Sequence, residues 1–310
     1  MKPFSLPSRA VLFLSICLFA CSDAARDATS SGAGVALPSL SEGASVDAVA
    51  DHLMAAQDAR VATTALARTH PDLDRETAYQ ILVETLDRRL DGGARVRGWK
   101  LGGTRVTDPT ASPDPIFGYS LDAHVYPVDR PLPASDFVGG RPEVEAEIAI
   151  LIGTDLPGPT VTREQLMAAI RGVSGAIEVL SRRLAPYPAD DPASLTPNHA
   201  IADNVYHGGV ILGHVVLPAD SLDFDAETAV MRVNGEEVAR GSAADIMGTS
   251  GTAIDGVLWL ANELPKHGLF LKSGDYVVTG SVYTNPTVEP GDQAALEFST
   301  LGTIAFTVGP

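Results

Sequence analysis

Two stretches near the start of the folded part show apolar residues at helical spacing, and they predict two amphipathic helices over residues 45–66 and 74–90. Ser45 can cap the first helix. Asp74 and Thr77 lie near the start of the second, and Gly92 follows its last apolar position. The residues that recur at this spacing are Val46, Val49, Ala50, Leu53 and Met54, and then Ala78, Ile81, Leu82, Thr85 and Leu86.

From Val96 onward, short apolar runs alternate with Gly, Pro and Asp turns, which is typical of strands. The predicted strands are residues 96–101, 123–126, 144–152, 177–180, 209–217, 229–233, 276–280, 294–298 and 302–308. Two helices interrupt them, at residues 162–170 behind a capping box and at residues 252–264. The pattern predicts an α+β fold, with a rolled, mainly β domain over residues 96–310 behind a small helical N-terminal lobe over residues 43–95.

The first twenty residues differ from the rest of the chain. Lys2 and Arg9 precede the apolar run AVLFLSICLFA, which is shorter than the roughly 20 residues that a permanent membrane helix needs. We interpret residues 1–20 as a signal peptide. The sequence Leu-Phe-Ala-Cys that ends at Cys21 resembles a bacterial lipobox, which implies lipidation of Cys21 and export to the periplasmic side of a membrane. A misassigned start codon or an uncleaved anchor is the competing interpretation.

Composition narrows the class of partner. The chain carries 22 Lys and Arg against 39 Asp and Glu, for a net charge of −17. Nucleic-acid binding requires clusters of basic residues, so we expect no nucleic-acid partner. The Ala-, Ser- and Gly-rich residues 21–42 predict a flexible tether. The expected partner is therefore a small molecule, with membrane contact only through an N-terminal lipid.

Two glutamates stand in an otherwise apolar predicted strand. Glu145 and Glu147 are two residues apart in VEAEIAI, so their side chains point to one face of the strand. Like charges on a buried face repel and lose hydration, so either one takes a proton or a cation lies between them. An edge strand with one face in water is the alternative.

Glu178 is a lone carboxylate in a second apolar strand, AIEVL. Acids in such strands are seldom fully buried unless they are paired. Three carboxylates suit a hard cation such as Mg²⁺ or Mn²⁺ and leave coordination positions for water or substrate. Lys100, between Trp99 and Leu101, is a candidate partner that could hold a carboxylate or pass a proton, or else a lysine whose charged end reaches solvent.

The order of the motifs is similar to that of the fumarylacetoacetate hydrolase superfamily, in the branch of 2-keto-4-pentenoate hydratase and 4-oxalocrotonate decarboxylase. The similarity runs from about Arg97 to the end of the chain. Each motif is weak alone, but their joint order is specific. The matching segments are GWKLGGT, FG followed by LD, VEAEIAI, AIEVL, IADN, WLAN and the closing GS, P and GD at residues 280–292.

This resemblance implies a twisted, rolled β-sheet domain with Mg²⁺ or Mn²⁺ held by Glu145, Glu147 and Glu178. It implies active-site roles for Lys100 and Asp122, with Asp122 as a candidate proton shuttle. Relatives act on 2-oxo or 2-hydroxy-dienoic acids, the hydratases by adding water to a 2-hydroxydienoate to give a 4-hydroxy-2-oxo acid. Relatives are also multimers, so a homo-oligomer is possible.

The predicted substrate wall departs from the family pattern. Val205-Tyr206-His207 replaces Ala-Ser-Ser, and the Pro-rich residues 185–197 replace a short linker. Arg182 and His207 are candidate contacts to a second substrate carboxylate. Ser281 and Thr284 are weaker pocket candidates, and His124 is a candidate base if it shares an extended face with Asp122.

Three functions remain open from the sequence. The first is hydration of a dienoate, and the second is decarboxylation of a 2-oxo-hexenedioate on the same scaffold. The third is a secreted, non-catalytic binding protein that kept the fold, which the predicted export suggests. The intact buried charges disfavour the third, because they destabilise a protein that does not bind their cation.

Overall fold

A computed structural model describes residues 35–106, 113–184 and 195–310. All of the described residues belong to the second of two compact units, which comprises residues 35–310. The predicted signal peptide, Cys21 and the first part of the tether therefore lie outside the described residues, as does most of the Pro-rich segment 185–197. None of the described helices is long and apolar enough to cross a membrane.

Helices precede and interrupt the strands of the second unit. They are α1 Val46–Ala59, α2 Ala65–Thr69, α3 Arg75–Asp91, α4 Arg163–Ala169, α5 Pro197–Ala202 and α6 Ala253–Glu263. Ser45 and Asp74 cap α1 and α3 through their side chains, as their positions predict. The single helix predicted over residues 45–66 is wrong, because Arg60 adopts a left-handed φ of 56° and ends α1. The predicted helices at residues 74–90, 162–170 and 252–264 are confirmed.

The strands of the described residues follow in chain order. They are β1 Val96–Gly102, β2 Ile116–Leu121, β3 Leu132–Pro133, β4 Glu143–Ile152, β5 Ile170–Leu180, β6 His207–Leu212, β7 Thr228–Val233, β8 Glu236–Ser242, β9 Tyr276–Val278, β10 Gln293–Phe298 and β11 Thr303–Gly309. One sheet has the order β2-β1-β9-β4-β5-β6, and the other has the order β3-β11-β10-β7-β8. The predicted α+β fold, helices followed by curled sheets, is confirmed.

The two faces of the first sheet have different neighbours. Ile148 and Ile150 of β4 belong to the main core, which also contains the buried residues of α1, α3 and the second sheet. Ala149, on the opposite face, belongs to a small cluster with Ala176, Val210, Tyr276 and Val278. Since side chains alternate along a strand, Glu145 and Glu147 share the face of this small cluster.

The second sheet packs closely against the main-core face of the first. A Cβ at Gly175 of β5 would lie 2.5 Å from the ring of Phe298 of β10, so only glycine allows this approach. One strand prediction here is wrong: residues 122–124 form a 3-10 turn instead of a strand. Asp122 and His124 therefore do not share an extended face.

Candidate metal and substrate site

Three glutamates converge on the face of the small cluster. In the antiparallel pair β4–β5, Glu145 lies directly opposite Glu178, and Glu147 follows two residues along. One carboxylate oxygen from each of the three lies within 4.8 Å of the others. The side chains of Glu147 and Glu178 are fully buried, whereas Glu145 is partly exposed. We call these three residues the acidic cluster, which the structure assembles from the two strands that the sequence indicates.

Lys100 of β1 completes the charge arrangement. Its Nζ lies 3.0 Å from Glu178 Oε2 and donates a hydrogen bond to the carbonyl of Val205 at 3.2 Å. The residue is only 3% exposed. Burial alone would lower the pKa of Lys100, but the charges of Glu178, Glu145 and Glu147 outweigh it and raise the pKa. The ammonium therefore stays charged inside the protein, which excludes the alternative of a lysine that reaches solvent.

The acidic cluster holds more negative charge than Lys100 neutralises. Loss of hydration raises the pKa of Glu145 to about 7, and Lys100 only partly opposes this shift. Burial also raises the pKa of Glu147 well above its usual value, with Glu178 and Glu145 adding to it. Burial raises the pKa of Glu178 too, against the effect of Lys100. Three carboxylates beside one ammonium favour the uptake of a further positive charge.

A chain of hydrogen bonds leads from Glu178 into the sheet. His207 Nδ1 lies 2.7 Å from Glu178 Oε1, and His207 Nε2 lies 2.8 Å from Ser120 Oγ. The hydroxyl of Tyr276 donates to Ser120 Oγ at 2.6 Å. Burial, followed by the charges of Lys100 and Arg183, lowers the pKa of His207 well below its usual value. The ring is therefore neutral, with Nδ1–H donating to the carboxylate and Nε2 accepting from the serine.

The carbonyl of Val205, which accepts a hydrogen bond from Lys100, lies in a strained backbone segment. Asn204, Val205 and Tyr206 have φ values of 53°, 49° and 59°. Left-handed conformation is costly for a β-branched residue such as Val205. The Asn204 side chain holds this segment against β2, accepting from the amide of Tyr119 at 2.8 Å and donating to its carbonyl at 2.9 Å. A Cβ at Gly118 would lie 2.7 Å from Asn204 Oδ1, so this glycine is required for the contact.

Two of the predicted substrate contacts have protein partners instead. Both ring nitrogens of His207 are occupied, so a substrate contact through this ring would break one of its hydrogen bonds. Arg182 is 45% exposed and forms an ion pair with Glu143 at 2.8 Å. Its charge still lowers the pKa of Glu145, although less than Lys100 does. Arg182 therefore lies near the open side of the acidic cluster.

The remaining predicted site residues are exposed or hydrogen-bond to the backbone. Asp122 is exposed and accepts hydrogen bonds from the backbone amides of Ala123 at 3.1 Å and Arg95 at 3.4 Å. Ser281 is partly buried and donates to the carbonyl of Tyr283 at 2.8 Å. Thr284 is exposed. These hydrogen bonds do not bring the three predicted residues into the acidic cluster.

The acidic cluster passes a simple test for a metal site. Glu147 Oε2 accepts a hydrogen bond from the amide of Gly280. Glu147 Oε1 is buried and has no hydrogen-bond partner among the described residues. A buried carboxylate oxygen without a partner costs free energy that a cation would recover. Oxygen ligands from carboxylates suit a hard divalent cation.

Two hydroxyl groups of the site belong to no sequence motif. They are those of Ser120 and Tyr276, and only the strand register shows their position. Because Gly98 of β1 pairs with both Ser120 of β2 and Tyr276 of β9, the two hydroxyls share the face of Lys100. A Cβ at Gly98 would lie 2.6 Å from the Tyr276 ring, so the glycine in Gly98-Trp99-Lys100 was a usable signal for a close neighbour.

The chain is similar to known proteins over most of its length. Residues 95–309 match the family model described as Fumarylacetoacetate (FAA) hydrolase C-terminal. The chain is 31% identical to 2-hydroxyhexa-2,4-dienoate hydratase of Comamonas testosteroni, over 78% of this chain and 90% of that protein. It is 28% identical to 2-keto-4-pentenoate hydratase of Paraburkholderia xenovorans (strain LB400), over 77% of this chain and 86% of the relative.

A solved structure extends the similarity to the fold. 4-Oxalocrotonate decarboxylase from Pseudomonas putida G7, complexed with magnesium and adipate, superposes with a TM-score of 0.75 at 25% identity. The match covers 85% of this chain and 97% of the decarboxylase. The chain therefore belongs to the fumarylacetoacetate hydrolase family of enzymes, in the branch that contains the 2-keto-4-pentenoate hydratases and 4-oxalocrotonate decarboxylase.

Proposed function

We propose that this protein is a metal-dependent hydro-lyase that adds water to a 2-hydroxy-2,4-dienoate and forms a 4-hydroxy-2-oxo acid. The observation that carries the proposal is the convergence of Glu145, Glu147 and Glu178 on one buried face, with Lys100 beside them. Two relatives with this activity in their names support the substrate class. The magnesium-bound structure of 4-oxalocrotonate decarboxylase supports the same fold and a bound metal ion.

The acidic cluster would hold Mg²⁺ or Mn²⁺ through its three carboxylates and leave further coordination positions for substrate or water. A bound divalent ion supplies Lewis-acid polarisation at the substrate's C2 oxygen and stabilises negative charge beside it. Glu178 is the best-oriented ligand, because Lys100 contacts one of its oxygens and His207 contacts the other. Such supporting contacts fix the direction of a ligand's lone pairs.

The chain's own residues supply orientation and proton handling. Lys100 stays charged and lies beside Glu178, where it can also bind the substrate carboxylate or donate a proton. The hydrogen-bonded series Tyr276, Ser120 and His207 ends on Glu178 and keeps the imidazole in one tautomer. Asp122 stays our candidate proton shuttle, although it lies in an exposed turn and hydrogen-bonds to backbone amides.

Following substrate absorbance in the ultraviolet tests the proposal. The purified protein is incubated with Mg²⁺ or Mn²⁺ and 2-hydroxypenta-2,4-dienoate, whose conjugated system absorbs and whose hydrated product does not. We expect metal-dependent decay for the wild type and loss of that decay for Glu147→Gln. Decay at the same rate in Glu147→Gln, or without metal, would contradict the proposal.

A second candidate is decarboxylation of a 2-oxo-hexenedioate. The observation that favours it is the position of Arg182. This residue is half-exposed beside Glu143, and its charge lowers the pKa values of Glu145 and Glu178. A cation there could contact the second carboxylate of a dicarboxylic substrate. The similar decarboxylase structure holds adipate, a dicarboxylate. Decay of the hexenedioate with release of CO₂, slowed in Arg182→Gln, would favour this reaction over hydration.

Export and lipidation are separate proposals that rest on residues 1–21 of the sequence. We propose that Cys21 carries the lipid and that the enzyme lies on the periplasmic side. Substitution of Cys21→Ser should move the protein from the membrane fraction to the soluble fraction of cells. An unchanged distribution would contradict the anchor without affecting the chemistry proposed for the acidic cluster.

A further inference from the structure

A phenol group is buried beside the acidic cluster without a hydrogen bond. Tyr283 is 1% exposed, and its hydroxyl has no hydrogen-bond partner among the described residues. An unpaired buried hydroxyl destabilises the fold, so native proteins rarely leave one without a reason. By contrast, the equally buried hydroxyl of Tyr119 donates to Thr85 at 3.2 Å.

The backbone places Tyr283 next to Glu145. The segment 280–286 runs along β4, where the amide of Val282 donates to the carbonyl of Ala146 at 3.0 Å. On the other side of Glu145, the amide of Val144 donates to the carbonyl of Pro286 at 3.0 Å. Tyr283 lies in the stretch between these two hydrogen bonds. It is therefore held beside the partly exposed member of the acidic cluster.

The neighbours of this segment hold the backbone of Tyr283 in place. A Cβ at Gly241 would overlap the carbonyl of Val282 and lie 3.1 Å from Cβ of Tyr283, so β8 packs directly against this backbone. Ser281 donates a hydrogen bond from its hydroxyl to the Tyr283 carbonyl at 2.8 Å. The point at which the Tyr283 side chain leaves the backbone is therefore fixed by two neighbouring segments.

The phenol is kept as a hydrogen-bond donor. Burial raises the pKa of Tyr283, and the charges of Glu145 and Glu147 raise it further. The hydroxyl consequently keeps its proton at any pH at which the protein works. A neutral donor without a partner, fixed beside a group of carboxylates, suits an anionic oxygen that arrives with a ligand.

We propose that the Tyr283 hydroxyl is a further ligand-binding group of this site, which donates a hydrogen bond to a carboxylate or enolate oxygen of the small acid bound at the acidic cluster. This inference rests on the proposed function for the identity of the ligand class. It assigns Tyr283 to the substrate and not to the metal ligands, because its hydroxyl forms no hydrogen bond with any of the three glutamates. Ser281 would act only by holding the Tyr283 backbone.

Calorimetry with two simple probes tests this assignment. Mg²⁺ is titrated into the metal-free protein, and oxalate, a small dicarboxylate that chelates Mg²⁺, is then titrated into the loaded protein. The variant is Tyr283→Phe, and the matched control is Tyr119→Phe, which removes a buried phenol hydroxyl from the opposite face of the sheet. We expect Tyr283→Phe to bind Mg²⁺ as the wild type does but to bind oxalate about 10-fold or more weakly. We expect Tyr119→Phe to bind both probes like the wild type.

Thermal unfolding of the ligand-free proteins provides a second measurement. Tyr283→Phe should unfold at the wild-type temperature or above it, because it removes a hydroxyl that has no partner, whereas Tyr119→Phe should unfold at a lower temperature. Unchanged oxalate affinity, an equal loss of Mg²⁺ affinity, or no oxalate binding by the loaded wild type would each overturn the proposal. If oxalate binding weakens as expected but the dienoate is not hydrated, the proposed function fails and this assignment stands.

Discussion

Glu145 and Glu178 occupy directly opposed positions on β4 and β5, so that two carboxylates meet on one face of a largely buried sheet. Glu147 joins them from the same strand, and the three carboxylates lie beside a single ammonium, that of Lys100. This relationship makes the unliganded site electrostatically unfavourable and prepared for a cation.

Removal of the buried ammonium should destabilise the metal-free protein. Lys100→Met leaves Glu178 without its cation, and breaking one partner of a buried ion pair typically costs about 3 kcal/mol or more. The free energy of unfolding in urea at pH 8 measures this loss. Lys266→Met is the control, because Lys266 is 65% exposed in its pair with Glu263 and should lose less than about 1 kcal/mol. Equal losses in the two variants would contradict the buried role of Lys100.

The imidazole of His207 should set the metal affinity through Glu178. An asparagine at this position can place its amide where Nδ1 lies and keep the donor to Glu178, whereas a glutamine places its amide near Nε2 and does not. We expect His207→Gln to weaken Mn²⁺ binding about 10- to 100-fold and His207→Asn to weaken it less.

His52→Gln is the matched control for this prediction. His52 is also buried and also uses both ring nitrogens, but its partners are Pro38 and Thr63 in the helical part of the fold. Its substitution should change stability and leave Mn²⁺ affinity alone. If both histidine variants lost affinity by the same factor, the loss would reflect general destabilisation and not the contact with Glu178.

The strand register explains how far the sequence could predict this site. The alternation of side chains along the strand VEAEIAI places Glu145 and Glu147 on one face. Motifs that follow one another in a specific order identify Glu178 and Lys100 as further members of the site. Pairing across β1, β2 and β9 is long-range, so the hydroxyls of Ser120 and Tyr276 could not be assigned from local pattern. The position of Tyr283 depends on the close packing of its backbone against Gly241. No spacing of residues along the sequence indicates this contact.

Local misassignments also have physical causes. Residues 123–126 carry an alternating pattern, but residues 122–124 form a 3-10 turn, which the amide of Val125 closes by donating to the carbonyl of Asp122 at 3.4 Å. The helix α5 follows a Pro-rich stretch and begins at Pro197, a residue that is compatible with the first helical turn. The signal peptide and Cys21 lie outside the described residues and stay predictions.

Acidification should destabilise the fold through His124. Burial, with a smaller contribution from the charge of Arg183, lowers the pKa of His124 to about 3. The unfolded chain therefore binds this proton more readily than the folded chain as pH falls from the ordinary value of 6.5 toward 3, and stability falls with it. The free energy of unfolding, measured between pH 7 and pH 4, should decline more steeply for the wild type than for His124→Asn. Parallel curves would contradict the buried, neutral state of this ring.

Substitution of Asp122 separates its predicted catalytic role from its place in the turn. If Asp122 shuttles the proton, Asp122→Asn should lower the turnover of 2-hydroxypenta-2,4-dienoate at least tenfold and leave Mg²⁺ affinity unchanged. The asparagine side chain can still accept from the Ala123 amide, so the turn should persist. Full turnover in this variant would remove Asp122 from the mechanism and leave proton handling to Lys100.

Electron paramagnetic resonance can count the Mn²⁺ ions held by the acidic cluster, because the signal of free Mn²⁺ decreases as the protein takes up the ion. The protein is first treated with a chelator and then titrated, alongside Glu178→Gln. We expect one tight site per chain in the wild type and its loss in Glu178→Gln. Absence of a one-to-one site in the wild type, or a site that survives in Glu178→Gln with unchanged affinity, would contradict the account.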